Sequence, residues 1–167
     1  MQDRSTLIHL EYLSERPFDE VVAAFEGATG VVDNDQFRQA VAASAGDADE
    51  FIRRIRAFEG PSGFMRFLDI DHGAWMGMLG IAGRAKLYIL GNPLIAATMI
   101  RHNLGAALNV PVRAMIVEDA QTRHTRLVYD LPSSLMARLG SEEVDAAALR
   151  LDEKLAALAE AATGARA

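Results

Sequence analysis

Hydrophobic and polar positions along the chain alternate with two different periods, and each change of period marks an element. Residues 6–13 alternate with period two: Ile8, Leu10 and Tyr12 share one face, and Leu7, His9, Glu11 and Leu13 share the other, as in a half-buried strand. Ser14-Glu15-Arg16-Pro17 then signals a helix start, and Phe18, Val21, Val22 and Phe25 recur at i, i+3, i+4 and i+7, so a helix buries one stripe until Gly27 and Gly30 stop it. Residues 34–58 predict two short helices broken at Gly46, the second capped by Asp47 or Asp49. A turn at Gly60-Pro61-Ser62-Gly63 leads to a strand over 64–70 and a short helical piece over 73–79.

The second half follows the same logic. Residues 84–90 predict a strand with Ala85, Leu87 and Ile89 on one face, and 93–102 predict a helix. Residues 112–118 and 123–129 predict a hairpin joined by a polar turn, followed by a short helix over 132–139. Residues 142–162 carry the strongest helical stripe, with Val144, Ala148, Leu151, Leu155, Leu158 and Ala162 at alternating steps of four and three. Helices mixed with hairpins favour an α+β class over a doubly wound sheet. No repeat or linker divides the chain, so residues 1–167 are expected to form a single domain with a two-helix insertion at about 34–58 and a long C-terminal helix.

Composition narrows the functional classes. The chain has 167 residues, a net charge of -6 and no cysteine. The acidic balance argues against a nucleic-acid partner, which needs a basic footprint. Arg53, Arg54 and Arg56 sit among acids and read as a solvated helix face. The absence of cysteine removes disulfides, thiolate catalysis and zinc–thiolate or iron–sulfur sites. Met1-Gln2-Asp3-Arg4 lacks the basic-then-apolar pattern of a secretory leader, and no apolar run is long enough for a membrane span, so a cytoplasmic location without a membrane partner is expected.

Four segments in the middle of the chain carry a resemblance. They are Asp71-His72 with Gly73-Ala74-Trp75, then Leu90-Gly91-Asn92-Pro93, then Asn109-Val110-Pro111-Val112-Arg113, then Tyr129-Asp130-Leu131-Pro132-Ser133-Ser134. In order and spacing they resemble the bacterial and archaeal family of unknown function numbered three-zero-two, over about residues 64–137. The resemblance implies an α+β fold with a curved antiparallel sheet packed on helices, usually as a homodimer, and it implies no established activity. The chain departs from the shorter members in the helices near 34–58 and in Trp75-Met76-Gly77-Met78.

The candidate chemistry sits at strand ends. Leu90 ends a strand, Asn92 suits the cap of the next helix and Pro93 suits its first position; Gly91 permits close approach, and the helix start can hold an anion. Asp71 and His72 end the preceding strand, where His72 can serve as a general acid or base. Asp69, Asp71 and His72 have metal-ligand chemistry, but alternation puts Asp69 and Asp71 on one face and His72 at a turn, so a converging triple does not follow. Arg113 suits a carboxylate or phosphate, or an ordinary ion pair. Trp75, Met76, Met78 and Leu79 form an adaptable apolar patch suited to a core, an interface or a pocket wall. The sequence therefore predicts a homodimeric module that binds a small anionic ligand in one cleft made by Asp71, His72, Gly91, Asn92 and Arg113. Two rivals stand beside it: an enzyme using His72, and an interaction protein in which the Trp75 patch and helix 142–162 serve assembly. No cofactor follows from these residues.

Overall fold

In the computed structural model, which describes residues 6–165, the period-two stretches are strands and the longer-period stretches are helices. Met1–Arg4, read above for a leader, lie outside the described residues. The strands are β1 (His9–Ser14), β2 (Gly30–Val31), β3 (Met65–Asp71), β4 (Arg84–Gly91), β5 (Val112–Glu118) and β6 (Thr125–Asp130). The helices are α1 (Phe18–Ala28), α2 (Asn34–Ala43), α3 (Ala48–Arg56), α4 (Gly73–Met76), α5 (Pro93–Ile100), α6 (Pro132–Met136) and α7 (Glu142–Thr163). Short 3-10 turns over Gly77–Leu79, Leu104–Asn109 and Ala137–Leu139 complete the backbone. The α+β class and the long C-terminal helix are as the pattern predicts.

The six strands form one open sheet in the order β1-β6-β5-β4-β3-β2. Five of them pair antiparallel, but β2 joins β3 in parallel through Gly30 and Val31, so the sheet is mixed and not purely antiparallel. The cause is the connection. Two helices, α2 and α3, stand between β2 and β3, and a helical crossover returns the chain in the same direction. A two-residue strand carries too little periodicity to be read beforehand. Helix α1 also runs one residue past Gly27, to Ala28. Glycine in a helix costs about 1 kcal/mol against alanine, and the burial of Phe18, Val21 and Phe25 outweighs that.

The two faces of the sheet differ. On the inner face, Leu10, Tyr129, Ala114 and Tyr88 lie side by side across β1, β6, β5 and β4. Over them pack α1 and the stripe of α7, whose Val144, Ala148, Leu151, Leu155, Leu158 and Ala162 are all buried. Ser141 caps α7, its Oγ accepting from the Val144 N–H at 3.3 Å. Beyond the helices, over β3 and β4, the inner face becomes charged. The Glu26 carboxylate at the end of α1 accepts from Lys86 Nζ at 2.6 Å and from Tyr88 Oη at 2.9 Å. Arg66 Nη1 lies 3.6 Å from Glu26 and 3.1 Å from Asp69. Burial pushes the Glu26 carboxyl up, but the hydrogen bonds from Lys86 and Tyr88 and the two cationic charges outweigh burial and hold it below its ordinary value.

The outer face has the opposite layout. His9, Asp130, Arg113, Ile89 and Leu68 form one row across the strands, and Glu11, Val128, Met115, Leu87 and Ile70 form the next. A third row holds Leu13, Arg126, Val117 and Ala85. Here the charges cluster over β1, β6 and β5, and the apolar side chains run on to β3, where Leu68 is 51% exposed. At the β2 edge, α2 and α3 make a second small core in which Phe37, Phe51, Phe58 and Phe67 pack on Val32, Ile55 and Met65.

Candidate functional site

The predicted cleft is divided by the sheet. Strands β3 and β4 pair antiparallel, with Asp71 opposite Lys86 and Met65 opposite Gly91, so the end of β3 and the end of β4 lie at opposite edges. Asp71 and His72 are thus the length of a seven-residue strand away from Gly91 and Asn92, roughly 20 Å at about 3.3 Å per residue. Strand ends that follow one another in sequence gather into one crevice in a parallel sheet; in an antiparallel pair they part. Asp71 Oδ1 accepts from the Ala74 N–H at 3.2 Å, and the His72 N–H bonds the Ala85 carbonyl at 2.9 Å. The His72 ring meets the Trp75 ring edge-on, with centroids 5.7 Å apart.

Asn92 is where the sequence places it, at the cap of α5, and its groups are all engaged. Its Oδ1 accepts from the Leu94 N–H at 2.8 Å, and its Nδ2 donates to Glu59 Oε1 at 2.7 Å and to the Gly63 carbonyl at 2.9 Å. Pro93 has no N–H to offer. On the first turn of α5 the cap thus takes the Leu94 N–H, and the Glu59 carboxylate stands against the Asn92 amide. Gly91 serves close approach: a Cβ there would stand 3.3 Å from Pro111 Cβ. Arg113 points outward from β5, with Nη2 3.7 Å from Asp130 Oδ2, and Asp130 Oδ1 takes a 2.9 Å hydrogen bond with His9 Nδ1.

Asn92 separates two cavities that share Asn92, Ile95 and Leu151 as walls. The larger, about 890 Å³, is apolar; Phe37, Phe64, Phe67, Leu68, Ile89 and Ile95 line it, with Asn34 and Arg101 as its outlying polar groups. The second, about 570 Å³, is lined by Arg56, Arg150 and Lys154, with Glu59 as its one acid. Arg150 and Lys154 stand one turn apart on α7, and Arg56 closes the last turn of α3, where a cation also faces the helix dipole favourably. A third space of about 340 Å³ holds Arg113, Asp130, Asn109 and Leu135. None of these three cavities is lined by Asp71 or His72.

The structure thus keeps Gly91 and Asn92 together, sets Arg113 in a neighbouring space that shares Ile89, Pro111 and Val112, and leaves Asp71 and His72 apart. Sequence reasoning missed Arg150 and Lys154 and dismissed Arg56. The basic pair at i and i+4 on α7 was legible, but the approach of α3 to it depends on the small second core. Among the described residues, no group of three or more His, Cys, Asp or Glu side chains is placed to hold a metal ion, and no helix is long and apolar enough to cross a membrane.

These features define an α+β domain with an apolar and a basic cavity meeting at the start of α5. The family described as Domain of unknown function DUF302 matches residues 39–162, and the chain belongs to that family. Its match reaches beyond the segments that carried the resemblance and takes in α3 and most of α7. The chain is similar in fold to the crystal structure of an uncharacterized conserved DUF302 protein from Bacillus stearothermophilus, with a TM-score of 0.64 and 13% identity over 92% of this chain and 97% of that one. No curated protein matches the chain.

Proposed function

We propose that the protein is a binding module for a small amphipathic anion, and that it acts as a homodimer. The observation that carries the ligand reading is the junction at Asn92, where an apolar cavity of about 890 Å³ adjoins one lined by Arg56, Arg150 and Lys154. An apolar body excludes water from Phe64, Phe67 and Ile95, and a carboxylate, sulfonate or phosphate group gains from three cations gathered on a chain of net charge -6. Asn92 fixes the boundary between the two cavities, because Glu59 and Gly63 hold its side chain. The anion thus lies against side-chain cations and not against the helix start that the sequence suggested. The exposed Leu13, Leu68 and Ile70 on the outer face support the dimer, since exposed apolar side chains grouped on one face suit association.

Native mass spectrometry of gently purified protein, compared with a denatured run, tests the reading first. A small molecule released on denaturation supports it and gives the ligand class by mass. Titration with anilinonaphthalene sulfonate, an apolar body bearing one anionic group, tests it independently. The Arg150→Glu/Lys154→Glu double variant is expected to weaken the dye about tenfold, and Ala96→Trp, which fills the apolar cavity, to abolish binding. A wild-type protein that carries no small molecule and binds no dye sinks the proposal.

A further inference from the structure

The space of about 340 Å³ that holds Arg113 is built from residues of β4, β5 and β6, the 3-10 turn Leu104–Asn109 and helix α6. Its size falls in the range of small-molecule sites. Asn109, Arg113 and Asp130 are its polar groups, and its other walls are apolar. Two of the sequence segments singled out above, 109–113 and 129–134, meet here and supply all three. Asn109 Nδ2 is buried without a hydrogen bond, an arrangement that costs free energy until an acceptor meets it. Arg113 Nη2 stands 3.7 Å from Asp130 Oδ2, near enough to pair by charge and too far for a hydrogen bond. His9 Nδ1 holds Asp130 Oδ1 at 2.9 Å. Leu108, 79% exposed, stands on the same space with Leu135 and Ile89.

We propose that this space is a binding site for an α-amino acid with an apolar side chain, separate from the anion site at Asn92. The class follows from the charges. A lone anion gains from Arg113 but is repelled by Asp130, and a lone cation gains from Asp130 but is repelled by Arg113. A zwitterion satisfies both when its own charges lie as close together as theirs. With Nη2 and Oδ2 only 3.7 Å apart, an ammonium and a carboxylate on one shared carbon have that spacing. The carboxylate lies against the Arg113 guanidinium, whose paired donors suit it, and accepts the Asn109 amide N–H. The ammonium lies against Asp130 Oδ2, so that each charge has opposite charges as neighbours. Asn109 fixes this orientation, because its orphaned group is a donor and meets only the carboxylate end. The ligand's side chain rests on Leu108 and Leu135 and runs toward Ile89, which this space shares with the large apolar cavity.

Isothermal titration calorimetry of the full chain at two temperatures, with L-leucine and L-phenylalanine, tests the site. The deaminated acid and the carboxamide of each serve as probes that keep one charge. The amino acids are expected to bind, and either single-charge probe to bind at least about tenfold more weakly. Arg113→Gln and Asp130→Asn, with the fold checked by circular dichroism, are each expected to weaken amino-acid binding about tenfold. Both are expected to leave anilinonaphthalene sulfonate at its wild-type affinity, because Arg56, Arg150 and Lys154 line a different cavity. Asn109→Leu is expected to weaken the amino acids and the deaminated acids alike, and the carboxamides less. No binding of either amino acid up to about 10 mM, equal binding of an amino acid and its deaminated acid, or unchanged affinity in a folded Arg113→Gln overturns the proposal. Displacement of the dye by leucine overturns the separateness of the two sites. A protein that binds leucine and no dye keeps this site and loses the anion reading.

Discussion

One sheet carries two faces built from the same strands, and they bury opposite ends. Inside, the apolar end lies over β1, β6 and β5, where α1 and α7 cover it, and the charged end lies over β4 and β3. Outside, the charges lie over β1, β6 and β5, and the apolar end runs to β3, where α2 and α3 cover only its margin. Alternation makes this possible: residue by residue, each strand offers its two faces independently. The inner face holds the fold together. The outer face keeps Leu68 and Ile70 exposed, and Leu68 and Ile89 on it also line the apolar cavity.

Neighbouring residues on β5 give the sharpest test. Ile116 is fully buried on the inner face, and Met115 stands beside it on the outer face. Ile116→Ala is expected to cost about 2–5 kcal/mol, as large-to-small core substitutions do. Met115→Ala is expected to cost under about 1 kcal/mol when unfolding is followed at concentrations too low for dimers. Denaturant titration of both variants checks this. Equal losses in the dilute monomer break the comparison, because they mean that the outer face is packed within a single chain.

The charged end of the inner face sets the next scale. Glu26 joins α1 to β4 through Lys86 and Tyr88. Glu26→Gln is expected to cost about 1–2 kcal/mol near neutral pH, since hydrogen bonds to charged groups contribute in that range. The pH dependence has a fixed sign. Glu26 sits below its ordinary value of 4.5 in the folded chain, so its contribution is complete above that value and is lost as pH falls through the lower, folded one. The gap between wild type and Glu26→Gln therefore narrows as pH drops below about 4.5. Urea titrations at stepped pH measure it, and a gap that widens in acid contradicts the assignment.

Much of this sheet was legible in the sequence, and the reasons are local. Ala85, Leu87 and Ile89 share a face because period two fixes it, and the α7 stripe is buried as its spacing predicts. What the sequence withheld was relative placement. The antiparallel pairing of β3 with β4 decides that Asp71 and Gly91 part, and no periodicity encodes which strands pair or in which sense. Asp71-His72 and Gly91-Asn92-Pro93 are each sound local signals, a turn and a helix cap, and only their supposed convergence failed. Arg56 looked like part of a solvated face because its neighbours Arg53 and Arg54 do pair with Glu50 on their own helix. Its meeting with Arg150 and Lys154 rests on a tertiary contact between helices far apart in sequence.

The smallest expected effect separates an outer ion pair from an inner one. Arg113 is mostly exposed and stands 3.7 Å from Asp130, whereas Lys86 Nζ lies 2.6 Å from Glu26 in partly buried surroundings. Exposed pairs contribute about 0–1 kcal/mol and are screened by salt. Arg113→Ala is thus expected to change monomer stability by less than about 0.5 kcal/mol, with no difference left in high salt. It is also expected to leave dye affinity within about twofold of wild type, because Arg113 lines a different space from Arg150 and Lys154. Dye titration decides between two placements of the anion. A tenfold loss in Arg113→Ala, with Arg150→Glu/Lys154→Glu unaffected, would move the charged group of the ligand from the α7 side of Asn92 to the outer face. The space lined by Ile89, Arg113 and Asp130 would then be the ligand's own binding surface.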